Sequence, residues 1–280
     1  MKKRLTALVL AFAMIFTMTV LTACGGNQGD QADQGDQSEG RTFVMGIDPE
    51  YPPFSYLGDN GEYTGFDVDV ARAVCDKLGW ELQIFELNWD NRYIQLDNNE
   101  CDCIWSGMTI LESTKEEGYV LSAPYFDNSQ VLMVKADSGI ASSADLAGKD
   151  VGVQLGTSGD TLLSEDLADL AGTFNSVVRS DSFLKCFTEL DGGAVDAVLV
   201  DAPVAVSYAA EHEGFVILDE TLGSEQYGIC FRSGDQELCD AVEGAIQELV
   251  ADGTYKQIAE KTAEKTGSGD FINGLIFLQQ

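Results

Sequence analysis

Histidine is almost missing from this chain. Its 280 residues include one, His212, beside 47 acidic and 16 basic side chains. With a single histidine and no Cys-x-x-Cys pair, neither a tetrahedral zinc site nor a Ser-His-Asp or Cys-His relay is credible. The segment around it, "EHEGF", reads as exposed. Cations are scarce, and a formal net charge of −31 repels phosphate backbones, which excludes nucleic acid as a partner. No metal and no cofactor is expected. What is plentiful is ordinary core material: 45% hydrophobic and 22% charged residues suit one large or two medium globular domains.

The one long apolar run, "LTALVLAFAMIFTMTV", follows the basic "MKKR" and reads as a signal peptide over residues 1–23. Next comes "LTAC" and then "GG". Small residues before a cysteine resemble the bacterial lipoprotein box, cleaved before Cys24 and lipidated on its thiol; the alternative is a plain signal anchor. Residues 25–40 contain one alanine and no other apolar side chain, so they cannot repay chain ordering. Residues 24–40 thus form a polar tether of about 20–25 Å end to end. The globular part is expected outside the cytoplasm, lipid-anchored to the outer face of the cell membrane.

Six cysteines remain: Cys75, Cys101, Cys103, Cys186, Cys230 and Cys239. An even set in an exported protein permits disulfides. The scattered spacing instead suggests buried free thiols, with a bridge among Cys75, Cys230 and Cys239 as the alternative. Cys101 and Cys103 share a strand face and are poorly placed to bridge each other.

Along the globular part strands and helices alternate. "TFVMGID", "ELQIFEL" and "CDCIWSG" read as strands around the helix "FDVDVARAVCDKLGW" and the short helix "WDNRYIQLDNN". After Phe126 the pattern restarts. "SQVLMVKA", "DVGVQLG", "NSVVRS" and "AVDAVLVD" are strands; "TSGDTLLSEDLADLAG", "SFLKCFTELDGG" and "APVAVSYAAEHE" are helices. "FVILDE" and "YGICFR" are two further strands, followed by helices over 236–252 and 255–266. This points to an α/β fold of two coupled units, each a parallel-rich sheet flanked by helices. Ligands of such sheets sit beyond the carboxyl ends of strands, where Asp48, Thr109, Thr157 and Asp201 fall.

The stretches "DPEYPPFSYLGDNGEYTGFDVDVARAV", "GMTI", "SAPYF", "DLAGKDVGVQLGTSGDTLL", "VDAVLVDAPVA" and "YGICFRSGDQEL" together resemble the family 3 extracellular solute-binding proteins, the polar-amino-acid receptors of ABC importers. The resemblance covers residues 41 to about 266. It implies a two-lobed periplasmic-binding-protein-like clamp that closes on its ligand. Lobe one is 41–128 plus 229–270, lobe two is 129–228, and 271–280 is a C-terminal tail. The chain would cross a double hinge near Asn128–Gln130 and Gln226–Gly228.

On this resemblance Asp201 matches the aspartate that binds the ligand's α-ammonium, against a role capping the helix that holds Pro203. Thr157 and Ser158 open a helix after Gly156, where backbone N–H groups attract carboxylate; capping alone also explains them. Gly107 and Thr109 match contacts from lobe one. Tyr51, Phe54 and Trp89 match aromatic walls, although any one alone is more often core packing. Asp48 either meets a cationic ligand side chain or caps the Pro49 turn.

Family members carry an arginine a few residues after the "MTI" strand, and it clamps the ligand carboxylate. Here that loop reads "MTILESTKEEGYVLSAPY" and contains no arginine. Counted from Met108 the position is Thr114; counted back from Tyr119 it is Lys115. Lys115 supplies the charge without the planar fork, or else is a solvated lysine among Glu112, Glu116 and Glu117. The expected function is capture of a polar amino acid, cationic ones included, for an ABC permease by a monomeric lipoprotein without enzymatic activity. The alternatives are a binder of a small amine or other solute, and a dehydratase-like enzyme on the same scaffold. A signalling ectodomain is disfavoured because "FINGLIFLQQ" is too short to span a bilayer.

Overall fold

The computed structural model describes residues 40–267 and 269–279. The expectations for the signal peptide, Cys24 and the tether up to residue 39 lie outside the described residues.

Strand β1 (Thr42–Ile47) leads into three short antiparallel strands, β2 (Glu50–Tyr51), β3 (Ser55–Leu57) and β4 (Tyr63–Thr64). Helix α1 (Phe66–Leu78) follows. Val70 and Val74 recur at helical spacing and are buried with Phe66 and Ala71, and Gly79 stops the helix in a left-handed turn. Then come β5 (Glu81–Glu86), α2 (Arg92–Asp97), β6 (Cys103–Thr109), α3 (Glu112–Glu116) and β7 (Val120–Leu121). The long strand β8 (Phe126–Lys135) carries the chain into the second half. There lie β9 (Asp150–Gln154), α4 (Ser158–Ser164), α5 (Ala168–Ala171), β10 (Ser176–Ser180), α6 (Phe183–Gly192), β11 (Ala197–Asp201) and α7 (Ala202–Glu211). Strand β12 (Phe215–Phe231) returns, and α8 (Gln236–Asp252), α9 (Thr254–Thr266) and α10 (Asp270–Gly274) complete the chain.

The main sheet has the order β10-β9-β11-β8-β12-β6-β1-β5, with β7 on β12. Its two ends, β5-β1-β6 and β10-β9-β11, are parallel triplets. Between them β8 and β12 run antiparallel to each other and join the halves. The α/β expectation therefore matches the architecture. Apolar strand residues such as Val198, Val200, Met45 and Ile47 are fully buried beneath the helices. Each contributes about 1.5–3 kcal/mol by leaving water.

Two sequence expectations need correction. The strands expected at "FVILDE" and "YGICFR" are one strand, β12. The polar segment between them shows no hydrophobic alternation, yet its backbone pairs with β8 through register shifts between Ile217 and Gly223. Tertiary pairing, not side-chain pattern, keeps it extended. The helix expected over "TSGDTLLSEDLADLAG" is two, α4 and α5. The break at Glu165–Leu167 lets Leu167 and Ala171 pack with the buried Leu146, Val151, Val153 and Leu163.

All six cysteines in the described residues are free and buried, with no bridge among Cys75, Cys230 and Cys239. The apolar tail is used in packing: Phe271 and Leu275 are buried, and Phe271 lies 5.3–5.6 Å, ring to ring, from Phe54, Phe66 and Phe126.

Candidate functional site

The carboxyl ends of β1, β6, β9 and β11 face one cavity between the halves of the sheet, placing Asp48, Thr109, Gln154 and Asp201 around it. Tyr51, Trp89 and Phe183 supply aromatic walls, and Thr157 and Ser158 enter from the start of α4. Three polar contacts cross the cavity. Tyr51 donates its hydroxyl to Asp201 Oδ2 at 2.9 Å, Gln154 Nε2 donates to Asp48 Oδ2 at 2.7 Å, and Arg92 Nη1 donates to the Gly156 carbonyl at 2.9 Å.

Eight of the ten residues named from sequence line this cavity: Asp48, Tyr51, Trp89, Gly107, Thr109, Thr157, Ser158 and Asp201. Gly107 has φ +56°, and a Cβ there would lie 2.4 Å from the Tyr51 ring, so only glycine lets Tyr51 take its place. Asp201 occupies the N-cap of α7, yet its side chain makes no capping hydrogen bond. Its oxygens turn to Tyr51, Asn128 and Gln130 instead. Thr157 does cap α4, accepting from the Asp160 N–H. Asp48 accepts from the Glu50 N–H at 2.9 Å, closing the Pro49 turn, while its other oxygen faces Gln154.

Two residues are not brought there. Phe54 is wholly buried behind Tyr51, with ring centroids 5.4 Å apart, and is edge-on to Phe126 and Tyr227. It is a core residue that backs an aromatic wall. Lys115 projects from α3, its side chain 47% exposed, and pairs with Glu112 at 2.7 Å. The helix turns Thr114 inward instead, where it is buried and bonded to the Tyr93 hydroxyl at 3.0 Å. One position along a helix rotates a side chain by about 100°, which separates the two.

The family model of the bacterial extracellular solute-binding proteins, family 3, matches residues 43–265. The chain belongs to this family. Its fold agrees with the solved structure of an ABC uptake transporter substrate binding protein from Streptococcus pneumoniae with bound histidine. The TM-score is 0.76 at 25% identity, over 81% of this chain and 94% of that one. The L-cystine-binding protein TcyJ of Escherichia coli (strain K12) is 32% identical over 223 residues, 79% of this chain and 82% of that protein. The arginine-binding extracellular protein ArtP of Bacillus subtilis (strain 168) is 31% identical over 272 residues, 95% of this chain and 100% of that protein.

In this solute-binding protein the polar network continues behind the cavity. Asn128 Nδ2 donates to Asp201 Oδ1 and Glu225 Oε1, both at 2.6 Å, and Gln130 Nε2 does the same at 2.6 and 2.8 Å. Thr109 donates its hydroxyl to Glu225 Oε2 at 3.0 Å. Burial, and then the negative charge of Glu225, push the Asp201 carboxyl up to about 7. Burial also raises Asp48.

Sequence reasoning missed several members of this network. Asn128 and Gln130 fall at the first expected hinge, Gln130 also in an expected strand, and Glu225 lies just before the second hinge. The signal for Asn128 and Gln130 is the polar "DNSQ" that opens an otherwise apolar strand. Arg92 was read only as part of a short helix. Its signal is a cation between two aromatic residues, "WDNRY", in a chain poor in cations. His212, the single histidine, does not line the cavity; it stacks on Tyr208 at 4.0 Å.

Proposed function

We propose that this protein captures a free polar α-amino acid, basic ones included, between the halves of its sheet and hands it to an ABC importer. The observation that carries the reading is Asp201. Its carboxylate is buried at a strand end, is not spent on its own helix, and lines a cavity with aromatic walls. A zwitterion leaving water needs an anion for its ammonium and donors for its carboxylate. Asp201 meets the ammonium. Thr109, Thr157 and Ser158 add polar contacts, Gly107 keeps the wall open, and Tyr51 and Trp89 pack on the ligand side chain. Asp48 faces the ligand's distal polar end.

Residues 41–128 with 229–270 act as one lobe and 129–228 as the other. They part about the two long strands, near Asn128–Gln130 and Gln226–Gly228, so few backbone positions absorb the motion. The cystine, arginine and histidine of the three relatives are all polar amino acids, which supports the ligand class. The protein works by binding and release without turnover, as a monomer held to the outer face of the cell membrane through lipid on Cys24.

A thermal-shift screen across the amino acids, cystine and their decarboxylated amines tests this. A ligand at a thousandfold excess over its dissociation constant stabilises by about 4 kcal/mol, a shift of several degrees. Failure of every amino acid to raise the melting temperature would overturn the reading, and a response to amines alone would replace it. Unchanged ligand recovered after long incubation is the expected sign of binding without chemistry.

A further inference from the structure

We infer that Arg92 anchors the carboxylate of the bound amino acid, in place of the lysine that the sequence suggests. The inference rests on the amino-acid reading above and deepens it.

Arg92 is the one cationic side chain among the residues lining the cavity, where Asp48 and Asp201 supply negative charge. Its guanidinium lies over the Trp89 and Tyr93 rings, 4.8 and 4.6 Å from their centroids. Both of its hydrogen bonds to described residues leave from Nη1, to the carbonyls of Trp89 at 2.7 Å and Gly156 at 2.9 Å. Nε is buried with no partner. A guanidinium is planar, and its Nε–H and one Nη2–H point side by side from the same edge. That edge is the one left over here, and it is the edge that matches the two oxygens of a carboxylate. The rings and the Nη1 bonds fix the plane beforehand, so little side-chain freedom is lost on binding. Thr157 and Ser158, next to the Gly156 carbonyl that Arg92 holds, line the same cavity.

The simplest rival is that Arg92 is only a latch, its bond to Gly156 holding the halves together. A latch supports every ligand equally, whereas a carboxylate anchor supports only ligands with a carboxylate. The test is therefore a matched pair. Histidine with histamine, arginine with agmatine, and cystine with cystamine are titrated calorimetrically into the wild type, and the tightest amino acid with its amine is carried forward. Arg92→Met is expected to weaken the amino acid at least thirtyfold and to leave the amine within threefold. Arg92→Lys, which keeps the charge and loses the fork, is expected to fall between. Lys115→Met serves as the control and leaves both unchanged. A melting temperature within a few degrees of wild type shows that each variant is folded, and Arg92→Lys carries the test if the methionine variant is not. Equal weakening of acid and amine assigns the latch and overturns the proposal, as does an unchanged amino-acid affinity. If the wild type binds none of the amino acids, the underlying reading falls and this inference with it. If it binds them and Arg92→Met is silent, only this inference falls.

Discussion

Replacing Asp201 with asparagine should weaken ligand binding while leaving the fold intact or more stable. In the structure Asp201 and Glu225 share the two side-chain amides of Asn128 and Gln130, and the Tyr51 hydroxyl completes Asp201. Burial first, and then the negative charge of the half-buried Glu225, disfavour the ionised form, so the Asp201 carboxyl rises to about 7. An ammonium ligand requires the ionised form, so binding displaces a proton. Affinity should level off near pH 8, while the ligand's ammonium is still protonated, and fall about tenfold for each pH unit below 7, a loss of about 1.4 kcal/mol per unit. At pH 8, Asp201→Asn leaves the ammonium without its counter-charge, which costs about 3–5 kcal/mol, at least a hundredfold in affinity. It also abolishes the pH dependence. The stability effect has the opposite sign. A carboxyl whose folded pKa is raised stabilises the fold below its unfolded pKa, near 3.8, and that contribution is lost as pH rises to 7. Above pH 7 the wild type keeps a buried charge beside Glu225, and the asparagine variant does not. Calorimetry between pH 5 and 9, with thermal unfolding of the unliganded proteins, reads both effects. Unchanged affinity in the variant, or a pH profile that survives the substitution, would refute the assignment. Parallel loss of affinity and stability would make Asp201 a structural residue.

Lys115→Met should change neither affinity nor stability by more than about 0.5 kcal/mol, since an exposed pair with Glu112 is worth little; titration and denaturant unfolding check it. Phe54→Ala removes a fully buried ring among four aromatic neighbours and should cost about 3–5 kcal/mol in urea unfolding. Cys24→Ser should move the protein from the membrane fraction to the medium with ligand affinity unchanged; a variant still on membranes refutes anchoring through that thiol.

Local pattern made much of this protein legible. Helical spacing in α1 and the apolar runs of β6, β8 and β11 carry their own signal, because burial on one or both faces dictates side-chain type. The strand ends at Asp48, Thr109 and Asp201 followed from that alternation, and family motifs added Tyr51, Trp89 and Gly107. Net charge alone argues against nucleic acid as a partner. None of this could say which way a side chain points. Lys115 and Thr114 are neighbours in the chain, and the turn of α3 sends one to solvent and the other inward. Phe54 and Tyr51 are both aromatic, but only the packing of Phe126, Tyr227 and Phe271 puts Phe54 behind the wall. Arg92 carries no motif; it joins the cavity because α2 brings it within reach of Gly156, 64 residues away. The pairing of β8 with β12 sets Glu225 opposite Asn128, close enough to Asp201 to raise its pKa. Hydrophobic pattern is written residue by residue along the chain. Charge proximity and side-chain direction depend on contacts between distant segments, and those exist only after the sheet has closed on itself.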